Sequence, residues 1–416
     1  MSEVESLITQ SDNGSKVVET PEKDVYQGKS TIVSSLLNQL NSIIGVGVMT
    51  LPYCLQTDGY IMGFMLFTLC GWLAHIAFKQ LAVAAEFTGH YQYKEIAEIL
   101  FGHRAWGIVI PVIMIVYVSG SLASYSISLM DNMFWWQEDS DRKYRLILCV
   151  AIMYLIILPL SCLRNLDFLK YNSYITMICE TFIVFVIIYY FTVYDEPREA
   201  PVPFKSGLDV ISTIPLISAS MCGHFATPYV YKELKNRSQK KMDIVIILNG
   251  IVLFAFYTSI MFFGYFTFTS NVHSDLLKTI ALHSKNAWYL KAANVAMLIL
   301  IISHFPVTCF GCRAAVESLV FKNKKAPMWG TILITTAIVT FLMTISLFVT
   351  EIADVLDVTS SLGGSFVIFI IPAALAMSII KKEKQSWQNY IIPVIMVILG
   401  LFMLIGGITS SIVRWI

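Results

Sequence analysis

Two stretches of this 416-residue chain set glycine, proline and polar side chains inside otherwise apolar runs. The first reads Gly47-Val-Met-Thr-Leu-Pro52-Tyr53 and the second Gly223-His-Phe-Ala-Thr-Pro228-Tyr229, both G-x-x-x-x-P-Y. In hydrocarbon an unpaired amide or carbonyl is costly, so irregular backbone persists at that depth only where it is buried or lines a cavity. The chemistry on offer is recognition rather than bond-making. At a break the upstream half-helix ends in unpaired carbonyls and the downstream half begins with unpaired amides, each end carrying roughly half a charge. Amides suit a carboxylate, and carbonyls suit an ammonium or a coupling cation. Together they describe a free amino acid. The residues placed to contact one are Gly45, Gly47 and Thr50 at the first break and Ser220, Gly223 and His224 at the second. Tyr117 and Ser121, four apart in the third apolar run, share a helix face and can complete the wall. The glycines can also serve close helix packing; recurrence of the motif with its proline favours binding.

Ionisable side chains at membrane depth are functional candidates by default. Glu180 lies mid-run in YITMICETFIVFVII with no base in its own helix, and His304 lies in IISHFPVTCF just before Pro306. A buried carboxyl that exchanges a proton and an imidazole that titrates near neutrality both suit proton coupling. Each can equally be a neutral group hydrogen-bonded across helices. Asn41, shortly before the first break, offers a carbonyl-type ligand to an ion or a helix–helix hydrogen bond, whereas His75 reads as structural.

The elements that must position these residues follow from composition. The chain is 56% hydrophobic and only 14% charged, against about 25% charged in soluble domains. It is a polytopic membrane protein, with the lipid bilayer as its first partner. A net charge of +1 gives no field for nucleic acid. The eight cysteines lie in or near apolar runs and make no disulfide framework; Cys309 and Cys312 share a helix face without implying a metal or redox site. No GxxxxGK[ST], HExxH or GxSxG sequence is present, so ATP-driven transport and those hydrolase chemistries lack support. No filter sequence or charge ring suggests a channel. The chain is not expected to be an enzyme, nor to need a cofactor or metal.

A bilayer core takes roughly 20 apolar residues of helix. Spans are predicted near 31–56, 60–85, 105–134, 145–161, 171–193, 208–231, 243–268, 287–318, 329–349, 361–380 and 390–413, after a disordered tail over 1–29. With the N-terminus in the cytosol, the even-numbered connections carry most bases, among them Lys94, Arg164, Lys232, Arg237, Lys241 and Lys381. The opposite loops carry acids such as Glu138, Asp139, Asp141, Glu199, Glu351, Asp354 and Asp357, which satisfies the positive-inside rule. Five spans are an odd number, so a second set of five starts from the opposite face and is inverted. The expected domain is therefore 30–416, divided into repeats at 30–194 and 207–380 with helices 1 and 6 broken, plus an eleventh helix at 390–413.

Asn41-Ser-Ile-Ile-Gly45-Val-Gly47 with Leu51-Pro52-Tyr53, the segment from Cys222-Gly-His224 through Tyr231-Lys-Glu-Leu-Lys-Asn-Arg-Ser-Gln-Lys-Lys-Met242, Phe263-Gly-Tyr-Phe-Thr-Phe268 and the Phe305-Pro306 to Arg313 region resemble the amino acid/auxin permease family over nearly the whole chain. The resemblance implies an all-α, eleven-helix, LeuT-like fold and amino acids as substrates. The family includes sodium-coupled neutral amino acid carriers, proton-coupled carriers and fungal vacuolar transporters. Asn41 matches a position that helps hold sodium in sodium-coupled members, but His304 stands where those members carry a threonine. That departure favours protons.

The sequence thus points to a secondary active amino acid transporter, proton-coupled and in the vacuolar membrane, working by alternating access. Asn41, Glu180 and His304 are the coupling candidates. Glu3-Val-Glu-Ser-Leu7-Ile8 resembles an acidic dileucine sorting signal, which fits that membrane. The alternatives are a sodium-coupled neutral amino acid carrier of the plasma membrane and, from another class, a non-transporting sensor or scaffold.

Overall fold

A computed structural model describes residues 28–132, 142–164, 172–207, 209–283, 287–321 and 326–415. The Glu3–Ile8 pattern and the loop residues Glu138, Asp139 and Asp141 lie outside the described residues. Among the described residues, nine helices are long and apolar enough to cross a membrane, and a tenth if the bent pair Ile32–Ile43 and Val46–Asp58 is one span. A shorter apolar helix, Leu146–Ser161, lies where the fourth span is expected.

In chain order, helix 1 is the bent pair, helix 2 is Tyr60–Thr88, helix 3 Trp106–Asn132, helix 4 Leu146–Ser161 and helix 5 Asn172–Val193. Helix 6 is Asp209–Glu233, helix 7 Gln239–Phe268, helix 8 Trp288–Val320, helix 9 Met328–Phe348, helix 10 Ile352–Lys382 and helix 11 Trp387–Val413. Most are apolar all round, as helices packed between lipid and protein must be. Helices 6 and 10 have the most buried apolar windows, and helix 11 the least. The latter lies at the edge of the bundle, against helices 6 and 10.

One boundary departs from expectation. Helix 10 begins at Ile352, so Asp354 and Asp357 belong to the helix rather than to the preceding loop. Ile352, Ala353, Val355 and Leu356 are all buried and pull this turn into the bundle. The buried Asp357 carboxylate accepts a hydrogen bond from Ser411 of helix 11 at 2.8 Å. The helix then widens into a π-type stretch over Ser360–Ile370, a feature that often accompanies functional positions.

Two fasteners hold the broken helices in register. Ser30 N–H donates to the Glu233 carbonyl at 2.8 Å, and Lys235 N–H donates to the Ser30 carbonyl at 2.9 Å. These bonds tie the entry of helix 1 to the exit of helix 6. On the acid-rich face, the short helix Leu276–His283 touches the Val46–Thr50 turn of helix 1. Lys278 of that helix lies 3.4 Å from both Asp131, at the end of helix 3, and Glu351, just before helix 10. Burial works against the Lys278 charge, but Asp131 and Glu351 outweigh it and hold the ammonium above its ordinary value. Burial likewise pushes the Asp275 carboxyl up, although it accepts the amides of Leu277 and Lys278.

Helix 4 is stapled from helix 8. Arg313, buried, donates to the Ser161 carbonyl at 2.5 Å and to the Leu163 carbonyl at 2.9 Å. The last carbonyls of a helix have no partner of their own, and a cation there also meets the negative end of the dipole. Arg313→Met keeps the stem and removes both bonds. It should destabilise the protein by about 2 kcal/mol or more, measured as a lowered Tm in detergent; an unchanged Tm would show that the staple carries no stability.

Candidate functional site: a cavity between two broken helices

Helix 1 comes apart between Ile43 and Val46 and bends by 55°. Its upstream half closes with Ile44 N–H donating to the Leu40 carbonyl at 2.9 Å, and the chain then runs extended through Gly45. A tight turn over Val46–Thr50 leads into the downstream helix Leu51–Asp58. Helix 6 stops at Ser220, passes Met221, Cys222 and Gly223 without helical backbone, turns over His224–Ala226 and resumes as Thr227–Glu233. Its axis is bent less, since the two halves still read as one span. Pro52 and Pro228, the prolines of the shared motif, both take the second position of a downstream half. There the missing N–H costs nothing and the fixed φ starts the helix.

The two breaks touch. A Cβ on Gly223 would lie 2.4 Å from Ile43 Cγ1 and 2.7 Å from Ser42 Oγ, so only glycine lets the breaks approach this closely. Gln39 of helix 1 donates to the Gly223 carbonyl at 3.4 Å.

Between them lies a cavity of about 50 Å³. Helix 1 contributes Ser42, Ile43, Gly45, Val46 and Gly47; helix 3 contributes Tyr117, Val118, Ser121, Ser124 and Tyr125. Helix 6 adds Ala219, Ser220, Cys222 and Phe225, helix 8 adds Thr308, and helix 10 adds Leu356. None of these side chains carries a charge. A second, apolar space of about 10 Å³, roughly enough for one water, lies on the other side of Gly45 and is lined also by Val48, Glu180, Tyr257 and Met297.

The cavity therefore gathers Gly45, Gly47, Tyr117, Ser121 and Ser220 from the residues expected to contact substrate. Three others are turned away from it. Thr50 donates to the Gly47 carbonyl at 2.8 Å and so braces the turn itself. Gly223 is occupied by the contact with helix 1. His224 stacks on Phe78 of helix 2, ring centroids 4.0 Å apart, with Nε2 3.1 Å from the Ala74 carbonyl. His75 packs against Gly250 of helix 7.

The carbonyls ending the upstream half of helix 6 are partly satisfied. Tyr257 of helix 7 donates to the Ser220 carbonyl at 2.7 Å, and Tyr117 of helix 3 approaches the Ala219 carbonyl at 3.4 Å. An ammonium bound here shares these acceptors with two tyrosines. The sequence reading missed Tyr257 and Tyr125. The available signal was a phenol inside an apolar helix, where its hydroxyl must find a partner.

The coupling candidates lie behind the first break. Asn41 Oδ1 accepts from Thr176 of helix 5 at 2.6 Å. Glu180 Oε1 of helix 5 and His304 Nε2 of helix 8 are 3.7 Å apart, both nearly inaccessible to solvent, and neither atom has a hydrogen-bond partner. Buried polar atoms are almost always paired, so this pair is one small shift from a bond.

A cavity between two broken helices in a bundle of membrane-spanning helices is the arrangement of a secondary transporter. Residues 28–413 match the family model described as "Transmembrane amino acid transporter protein", and the chain belongs to that family of transporters. It is 26% identical over 436 residues to the sodium-coupled neutral amino acid symporter 2 of Danio rerio, covering 95% of this chain and 84% of that protein. Among solved structures, the crystal structure of MhsT in complex with L-phenylalanine superposes with a TM-score of 0.60 over 93% of this chain and all of that one, at 12% identity. That likeness establishes the LeuT-like fold.

Tyr257→Phe tests the satisfied helix end. Leaving the buried Ser220 carbonyl without its donor should cost about 1–3 kcal/mol of stability, read as a fall in Tm that a saturating amino acid partly restores. A Tm equal to that of the unaltered protein would show that this carbonyl has another partner.

Proposed function

We propose that the chain carries neutral amino acids across a membrane by alternating access, driven by protons, with Glu180 and His304 as the proton-binding pair and Asn41 beside them. The observation that carries the substrate class is the cavity lining. It offers two helix ends for the charges of the amino acid backbone and no charged side chain for a third charge. A lysine or glutamate side chain would be buried unpaired, a cost of several kcal/mol, so these should be taken up roughly a hundredfold less well than neutral amino acids.

The observation favouring protons is the unpartnered Glu180–His304 contact. A shared proton would satisfy both groups, and its loss would leave a buried charge. A proton-driven carrier suits the membrane of an acidic compartment such as the vacuole, and the Glu3–Ile8 pattern supports that address. Sodium coupling at the plasma membrane is the second reading. The name of the Danio rerio relative favours it, and Asn41 Oδ1 beside the first break would be a natural cation ligand.

Reconstitution in vesicles separates the two readings. Labelled neutral amino acids should accumulate under an imposed pH gradient with choline in place of sodium, and His304→Ala should abolish that uptake. Accumulation that needs sodium and ignores pH would replace protons by sodium; full pH-driven uptake by His304→Ala would remove His304 from the mechanism. Imaging a tagged chain decides the membrane, and exclusive plasma-membrane signal would overturn the vacuolar reading.

A further inference from the structure

Gly45 lines both cavities, with the amino acid site on one side and the apolar space containing Glu180 on the other. The residue pressed against it from helix 3 is Tyr125. A Cβ at Gly45 would come within 2.5 Å of the Tyr125 hydroxyl oxygen, so the phenol reaches the main chain of the break itself. The same side chain also faces helix 8, where its hydroxyl bonds Thr308. Its ring centroid lies 6.2 Å from that of His304 and 6.5 Å from that of Phe305, in tilted contacts. Tyr125 is buried and lines the amino acid cavity. One rigid side chain thus spans from the broken backbone to the histidine of the buried pair.

We propose that Tyr125 is the positioning residue through which the amino acid cavity and the Glu180–His304 pair sense each other. This rests on the proton-coupled reading. An amino acid settling against the main chain of Gly45–Gly47 displaces the phenol hydroxyl from Gly45. The stiff ring passes that movement to His304, and the 3.7 Å gap to Glu180 changes. A changed gap alters how tightly the pair holds a proton. By linkage, the proton then alters how tightly the cavity holds the amino acid, and by the same factor. The titratable groups facing the pair are Tyr125 from helix 3, Tyr257 from helix 7 and Cys179 from helix 5 itself. Helix 1 brings Asn41, which does not titrate.

The test is the pH dependence of binding by the full-length protein in lipid nanodiscs. The probe is whichever of labelled alanine, glutamine, leucine or tyrosine binds the unaltered protein most tightly. Its Kd should differ about tenfold between roughly pH 5.5 and roughly pH 7.5. In Tyr125→Phe, which keeps the ring and removes the hydroxyl, the roughly tenfold ratio between the two Kd values should collapse to about twofold or less, whatever the Kd itself becomes. Gly45→Ala, whose methyl would fall on the hydroxyl, should flatten it with the tyrosine intact, and it carries the test if Tyr125→Phe does not purify monodisperse. A flat profile in the unaltered protein would sink the proton-coupled reading itself. A pH-dependent unaltered protein with an equally pH-dependent Tyr125→Phe would overturn only the role of Tyr125. Loss of binding at both pH values in Tyr125→Phe would also overturn it, since the hydroxyl would then belong to the binding site.

Discussion

Every backbone polar group inside a bilayer must be satisfied by the protein, and two helices here depart from the structure that does this automatically. Their broken ends are therefore the groups around which the bundle is arranged. Helix 7 supplies Tyr257 to the Ser220 carbonyl, helix 3 adds Tyr117 to the Ala219 carbonyl that also accepts the Cys222 amide, and Thr50 folds back onto the Gly47 carbonyl. Main chain of the first break, at Gly45, Val46 and Gly47, lines a cavity rather than lipid.

The same constraint shapes what surrounds the cavity. No charged side chain lines it, which leaves the helix ends as the strongest local fields. Behind the wall lie Glu180 and His304, 3.7 Å apart and nearly inaccessible to solvent. The outer fasteners at Ser30–Leu234 and at Lys278 lie on opposite faces of the bundle, one made of main-chain bonds and one of ion pairs.

Much of this was legible in the sequence, for identifiable reasons. Glycine and proline at membrane depth are conspicuous, so both breaks could be located, and the positions of Pro52 and Pro228 follow from proline chemistry alone. The order of the helices and the family resemblance were likewise readable. What stayed hidden depends on direction. Helix 3 is apolar on all sides, so nothing in its periodicity says that Tyr125 and Ser124 face the cavity with Tyr117 and Ser121. His224 sits within the second motif, yet its ring turns to Phe78, because a break frees the chain to rotate its side chains away from the helical pattern. Asp354 and Asp357 look like loop residues until Ser411, more than fifty positions away, satisfies one of them inside the bundle.

The decisive measurement is a structure of the protein with a neutral amino acid bound. The α-carboxylate should lie against the amides of Val46 and Gly47 at the break in helix 1, with the ammonium turned to the carbonyl end of helix 6 at Ala219 and Ser220. An amino acid held by charged side chains elsewhere, or breaks that close into continuous helices with no ligand between them, would contradict it.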